Sequence, residues 1–184
     1  MSGNHTIDVR GLPRGEAAVL GAGFRRRWGV ILAGGDGKRL LPLTRRLTGD
    51  DRPKQFCRVL GNETLLQQTR RRVGGSVRPD QMFVVLTKPH QRFYADQVDE
   101  FPEDRRLIQP HNCGTAPATL YSISRLCHLD PSGVVAFFPS DRAGADLMPL
   151  NDLYNRIPNV NVSDMELRFG RRKCYCVCVT FPRS

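Results

Sequence analysis

Val30-Ile31-Leu32-Ala33-Gly34-Gly35-Asp36-Gly37-Lys38-Arg39 decides how this chain is read. The apolar, β-branched run from Val30 to Ala33 passes straight into glycines, the pattern of a buried strand that feeds a loop. Glycines at such a place let the backbone approach phosphate oxygens and turn its N–H groups toward them, while Lys38 and Arg39 add positive charge. A plain tight turn explains the glycines equally well. Two better-known loops are excluded. A Walker loop needs Ser or Thr after Gly-Lys, and Arg39 follows Gly37-Lys38. The dinucleotide fingerprint needs a third glycine where Leu40 stands.

Working outward, Met82 to Thr87 and Val134 to Phe138 are further continuous apolar runs, and Leu107-Ile108 is a shorter one. Between them the spacing predicts a helix over 64–73, with Leu65, Leu66 and Thr69 on one side and Arg70-Arg71-Arg72 at its end, where cations suit the helix dipole. A polar helical stretch is expected over 90–99. A third helix is expected over 116–129, its apolar period falling on Ala116, Leu120, Ile123 and Leu126-Cys127. Strands without alternation, separated by helices, indicate an α/β fold: an open, mostly parallel Rossmann-like sheet with helices on both faces. In such sheets ligands lie outside the carboxyl ends of the strands, which here carry the glycine loop and Asp141.

The expected organisation is a Gly- and Arg-rich flexible leader over 1–27, a nucleotide-binding domain over 28–142 and a divergent tail over 143–184. The net charge of +10 is spread over all three parts and not gathered into one arm. That distribution fits a small anionic substrate and favours no nucleic-acid partner. No apolar run approaches the roughly 20 residues of a membrane helix, and the short run after Arg25-Arg26-Arg27 is no signal core, so no membrane partner and a cytoplasmic location are expected. Six cysteines without a C-x-x-C pair argue against a disulfide framework in a reducing compartment. Cys174, Cys176 and Cys178 would share one face of a strand, but no fourth ligand at zinc-like spacing accompanies them.

Gly34-Gly35-x-Gly37-x-Arg39-Leu40-x-Pro42-Leu43-Thr44, followed by Pro53-Lys54-Gln55-Phe56, resembles the signature of the nucleotide-sugar pyrophosphorylases. The Pro-Lys-Gln-Phe form points to the mannose-1-phosphate guanylyltransferase branch. Two later segments are similar to the same family: Gln109-Pro110-His111-Asn112-Cys113-Gly114-Thr115-Ala116-Pro117-Ala118, and Phe138-Pro139-Ser140-Asp141. The resemblance implies nucleotidyl transfer from a nucleoside triphosphate, GTP in this branch, to a sugar-1-phosphate such as mannose-1-phosphate. It implies that Leu32, Ala33, Gly34, Gly35, Gly37, Lys38 and Arg39 hold the nucleotide, together with Gln109, Asn112, Gly114, Thr115 and Ala116. Arg39 would face the leaving pyrophosphate and Lys54 the phosphate near the reacting centre, as the catalytic pair. Asp141 would hold Mg²⁺, the implied cofactor.

The chain also departs from the family pattern. Cys113 stands where Arg is frequent, Arg142 where His follows Pro-Ser-Asp, and Thr48-Gly49-Asp50-Asp51 reads as extra loop, which costs little at a surface. Nothing over 143–184 resembles the family's sugar-phosphate region or its second metal-binding Asp. A truncation, a shifted reading frame or a decayed copy would each leave such a tail, so a non-catalytic nucleotide-binding remnant is the alternative function. Association into a homo-oligomer is left open. Asn112 and Thr115 are expected to cap the helix beginning near Ala116, with or without a nucleotide role. His90, His111 and His128 are expected at the surface or at caps.

Overall fold

The computed structural model describes residues 26–59, 61–130, 133–140 and 178–180. Four parallel strands form the centre: β1 (Arg27–Leu32), β2 (Met82–Thr87), β3 (Arg106–Gln109) and β4 (Val134–Pro139). A short fifth strand, β5 (Cys178–Thr180), runs antiparallel along β4. The spatial order is β3-β2-β1-β4-β5. The helices are α1 (Leu41–Thr48), α2 (Leu65–Gly74), α3 (Gln91–Tyr94) and α4 (Thr115–Leu129). The open, mostly parallel Rossmann-like sheet read from the sequence is the fold. Its first strand begins at Arg27, earlier than the apolar run, because Arg27 and Trp28 pair in register with Val134 and Val135.

The continuous apolar runs follow from burial on both faces. Side chains alternate across a strand, and both alternations find cover here. Ile31, Met82, Val84, Leu86, Ala136 and Phe138 join Leu66 and Val73 of α2, and Phe93 and Tyr94 of α3, on one face. Trp28, Val30, Phe83, Val85, Val135 and Phe137 pack against Ala118 and Leu126 of α4 on the other. The topology accounts for the division. The chain steps from β1 to β2 to β3 in one direction, then returns past both to β4. A constant right-handed crossover therefore places α4 on the face opposite α2 and α3. Gly29 allows α2 its close approach, since a Cβ there would lie 2.9 Å from Val73 Cγ1.

Helix α2 starts in a capping box. The Thr64 hydroxyl accepts from the Gln67 amide, and the Gln67 side chain accepts from the Thr64 amide. Leu65, Leu66 and Thr69 bury, as the spacing predicted, and Val73 joins them.

Two expectations are corrected. Residues 90–99 do not form one helix. α3 is a single turn flanked by 3-10 turns at Lys88–His90 and Ala95–Gln97. The Gln97 side-chain amide takes the Phe93 carbonyl, the acceptor that a continued helix would give to the backbone. In α4 the buried stripe is Ala118, Ser122 and Leu126, while Ala116 and Leu120 are exposed and Ile123 is partly buried. The two small residues carry little apolar signal, yet they let the helix sit close to the sheet. The Ser122 hydroxyl is satisfied by the Ala118 carbonyl.

Asp141, Cys174 and Cys176 lie outside the described residues. Cys57, Cys113 and Cys127 carry free thiols. No helix among the described residues is long and apolar enough to cross a membrane.

Candidate active site at the carboxyl rim of the sheet

The strand order reverses between β1 and β4, and in open α/β sheets the crevice outside the carboxyl ends at that point receives ligands. The register brings the strand ends level: Leu32 pairs with Val85 and with Pro139, and Thr87 pairs with Gln109. Ser140, next after β4, donates both its amide and its hydroxyl to the Leu32 carbonyl, at 3.1 and 2.7 Å. The first and fourth strands are thereby tied at the rim.

The glycine loop leaves β1 at Ala33, whose amide donates to the Val85 carbonyl. Gln55, 3% exposed, spans the loop from beneath. Its Nε2 donates to the carbonyls of Ala33 at 3.0 Å and Gly35 at 2.6 Å. With those carbonyls held inward, the loop's shape is fixed from the protein side. Gly37 has φ +63°, a left-handed conformation that any side chain would strain. A Cβ on it would meet the Lys54 amide at 3.4 Å and Pro53 Cα at 3.6 Å. The glycine loop and the Pro53–Lys54 segment are therefore in backbone contact. Lys54 is half-buried, whereas Lys38 and Arg39 are exposed on the 3-10 turn that follows Gly37.

Gln109 joins the same rim. It is 9% exposed, and its Oε1 lies 3.4 Å from where a Cβ on Gly34 would stand. Beyond it, Asn112 to Gly114 form an exposed loop leading into α4, whose first residues Thr115 and Ala116 are exposed as well. Neither Asn112 nor Thr115 caps that helix. The N-cap is Gly114, at φ 89° and without a side-chain cap, and the Asn112 side chain accepts from the Gly114 amide. The first turn of α4 thus has neither a capping side chain nor an acidic residue. Open amides at the positive end of a helix favour an anion.

The structure therefore brings together Leu32, Ala33, Gly34, Gly35, Gly37, Lys54 and Gln109. Lys38 and Arg39 lie one turn along, and Asn112, Gly114, Thr115 and Ala116 continue from Gln109. No group of three or more His, Cys, Asp or Glu side chains among the described residues could hold a metal ion.

The stretch read as extra loop is organised. Thr48 ends α1 and Gly49 closes it in the left-handed conformation. Asp50 accepts from the Thr48 hydroxyl and from the amide and guanidinium of Arg52, while Asp51 pairs with Arg45. Burial opposes ionisation of Asp50, but the hydrogen bonds from Thr48 and Arg52 outweigh it and lower its pKa. This turn delivers Pro53 and Lys54 to the glycine loop.

Sequence reasoning missed three groups at the rim. Gln55 was visible only as part of a motif, with no role attached. Asp36 and His90 gave no signal, since 54 positions of sequence separate them. His90 stands at the N-cap position of α3, without a side-chain cap bond, and is not a surface residue. It is 9% exposed, its Nδ1 lies 2.7 Å from Thr87 Oγ1, and its Nε2 lies 3.5 Å from Asp36 Oδ1. Burial lowers its pKa below the usual 6.5, and the Asp36 carboxylate restores part of the shift. A neutral buried histidine makes the unfolded chain bind more protons than the folded one below that value. Stability is then expected to fall as pH drops below 6.5 and to level off beneath the folded-state pKa. Thermal midpoints from about pH 8 to about pH 5 should show this slope, and His90→Gln should flatten it.

A cleft of about 410 Å³ lies away from this rim, between Arg70 and Arg71 of α2, Pro79, Met82 and Phe101. It touches the amino end of β2 and none of the rim residues. The strand-end geometry, not cleft size, locates the candidate site.

The chain is similar to several known proteins. The chain is 33% identical over 121 residues to the alginate biosynthesis protein AlgA of Pseudomonas syringae pv. tomato, covering 64% of this chain and 24% of the relative. It is 34% identical over 91 residues to a mannose-1-phosphate guanylyltransferase of Escherichia coli, covering 48% and 18%. Its fold matches that of a mannose-1-phosphate geranyltransferase from Thermus thermophilus with a TM-score of 0.59 at 22% identity, covering 86% of this chain and 51% of that one. The chain thus spans about a quarter or less of these curated relatives. Residues 28–156, including every rim residue described above, match the nucleotidyl transferase family, and the chain belongs to that family.

Proposed function

We propose that this chain transfers a nucleotidyl group from GTP to mannose-1-phosphate, releasing pyrophosphate. The observation that carries the reading is the clamped glycine loop. Gln55 holds two of its carbonyls, and Lys54 and Gln109 converge on it at the strand ends where the sheet order reverses. The relative named as a mannose-1-phosphate guanylyltransferase supports the choice of base and sugar.

In this reaction an oxygen of the sugar phosphate attacks the α-phosphorus in line, the bond to the β-phosphate bridging oxygen breaks, and pyrophosphate leaves with its electron pair. The attacking phosphate is ionised at neutral pH, so no covalent enzyme intermediate and no general base are needed. Catalysis reduces to positioning and charge neutralisation. Gly35 and Gly37 would present amides, with Lys38 beside them. Arg39 would face the leaving pyrophosphate and Lys54 the reacting centre. Gln109, Asn112, Gly114, Thr115 and Ala116 would hold the remainder of the nucleotide, with Leu32, Ala33 and Gly34 beneath it.

The described residues form no metal site of their own. The expected Mg²⁺ would come with the nucleotide: Asp141, outside the described residues, would supply one carboxylate and the phosphates further oxygens. No step above runs through the ion. Mg²⁺ is accordingly expected to bind far more tightly with GTP present than without it, and equal affinity in both titrations would contradict this arrangement. The activity itself is tested by pyrophosphate release from GTP with mannose-1-phosphate. Release that requires both substrates supports transfer, whereas GTP binding without release would contradict a catalytic role.

A further inference from the structure

Asp36 sets a carboxylate inside a loop that would grip a polyphosphate, and like charges at such range oppose binding. Two cations or potential cations flank it. Lys38 Nζ lies 4.0 Å away, but its side chain is 83% exposed, so water screens the attraction. His90 differs in being buried and fixed on three sides. Its ring meets Phe56 edge-on at 6.1 Å between centroids, its Nδ1 faces the wholly buried Thr87 hydroxyl at 2.7 Å, and its Nε2 faces Asp36.

If the Thr87 hydroxyl donates to Nδ1, the ring hydrogen sits on Nε2 and points at Asp36 Oδ1. A line of polar contacts then runs from the last residue of β2 to the middle of the glycine loop. Gln55 holds the Ala33 and Gly35 carbonyls from a separate segment. The loop thus meets its support at two independent places, hydrogen-bonded by Gln55 and in a longer polar contact of 3.5 Å with His90.

Building on the phosphate-binding reading above, we propose that His90 is a positioning residue for the glycine loop. It holds the Asp36 carboxylate at the end of β2 and keeps it from standing loose among the phosphate oxygens. His90 touches no substrate in this arrangement and acts only through Asp36.

The test uses the full chain with His90→Phe, which keeps a ring against Phe56, and His90→Gln, which keeps an amide donor toward Asp36. Amide hydrogen exchange over residues 34–37 is measured without ligand, and GTP affinity is measured by calorimetry. His90→Phe is expected to speed exchange there and to weaken GTP binding, each by roughly tenfold. His90→Gln should recover most of both. In an Asp36→Ala background, His90→Phe should change neither quantity further. Unchanged exchange and affinity in His90→Phe would overturn the proposal, as would effects of the two substitutions that simply add. Should His90→Phe fail to fold, Asp36→Ala decides, with faster exchange at 34–37 in support and unchanged exchange against. Wild-type protein that binds no GTP, while His90→Phe still loosens the loop, would sink the nucleotide reading and leave the positioning role standing.

Discussion

Glutamate in place of Gln55 is expected to abolish GTP binding and to lower folding stability by about 3 kcal/mol at neutral pH. The substitution changes one atom and hardly alters volume, so packing does not enter. The Gln55 amide nitrogen is the donor to both the Ala33 and Gly35 carbonyls, and the side chain is 3% exposed. A carboxylate there would face two carbonyl oxygens with no hydrogen to offer and little water to screen it. Such a group takes up a proton to avoid the clash, so its folded-state pKa would rise above the unfolded glutamate value of about 4.3. The sign follows: the variant is least impaired below that value and loses stability as pH rises through the folded-state pKa. Urea unfolding at about pH 4 and about pH 7 measures the contrast. A glutamate variant as stable as wild type at both pH values, with GTP binding intact, would show that Gln55 does not clamp the loop.

Valine at Gly37 is expected to cut GTP affinity by about 100-fold or more while costing only about 2 kcal/mol of stability. The left-handed backbone at φ +63° excludes a β-branched residue without a local change. A Cβ there would already sit at contact distance from the Lys54 amide and Pro53, so the two methyls of valine beyond it have to press that segment aside. Relief of that pressure separates the glycine loop from Lys54, the two parts whose juxtaposition the proposed chemistry needs. The core beneath is untouched, so the fold survives the change that the site does not. Gly35→Ala makes the complementary comparison. Nothing lies within 4 Å of a Cβ there, so stability should hold, and any loss of GTP affinity reports the ligand's own approach to the backbone. Calorimetry together with thermal melts checks both variants. Equal losses of affinity and stability across the pair would contradict the assignment.

The fold was legible in the sequence because burial on both faces writes itself as unbroken apolar runs. Met82–Thr87 was read to the residue, and the helix over α2 was misplaced only at its ends. Where the signal is weak, the reading failed. Arg27 and Trp28 extend β1 because β4 pairs with them, which nothing local announces. Ala118 and Ser122 turn inward because they are small, and a hydrophobicity pattern gives small residues little weight. At the site, motif residues were given roles where backbone conformation demands a glycine or where a strand ends. Gln55, Asp36 and His90 were not, because their roles come from contacts between distant segments. The Thr87–His90 turn shares one short stretch with no repeat or spacing to mark it, and its link to Asp36 exists only once β1 and β2 lie side by side. Asn112 and Thr115 show the reverse error. Both are good capping residues, yet Gly114 takes the cap position and leaves the first turn of α4 open.

Calorimetric titration of the full chain with GTP addresses the central claim, that the clamped loop and its neighbouring cations grip a polyphosphate. Saturable binding is expected, weakened by about tenfold or more when Arg39 and Lys54 are both replaced by alanine. No heat from well-folded protein at about 1 mM GTP, or identical binding by the double variant, would contradict it.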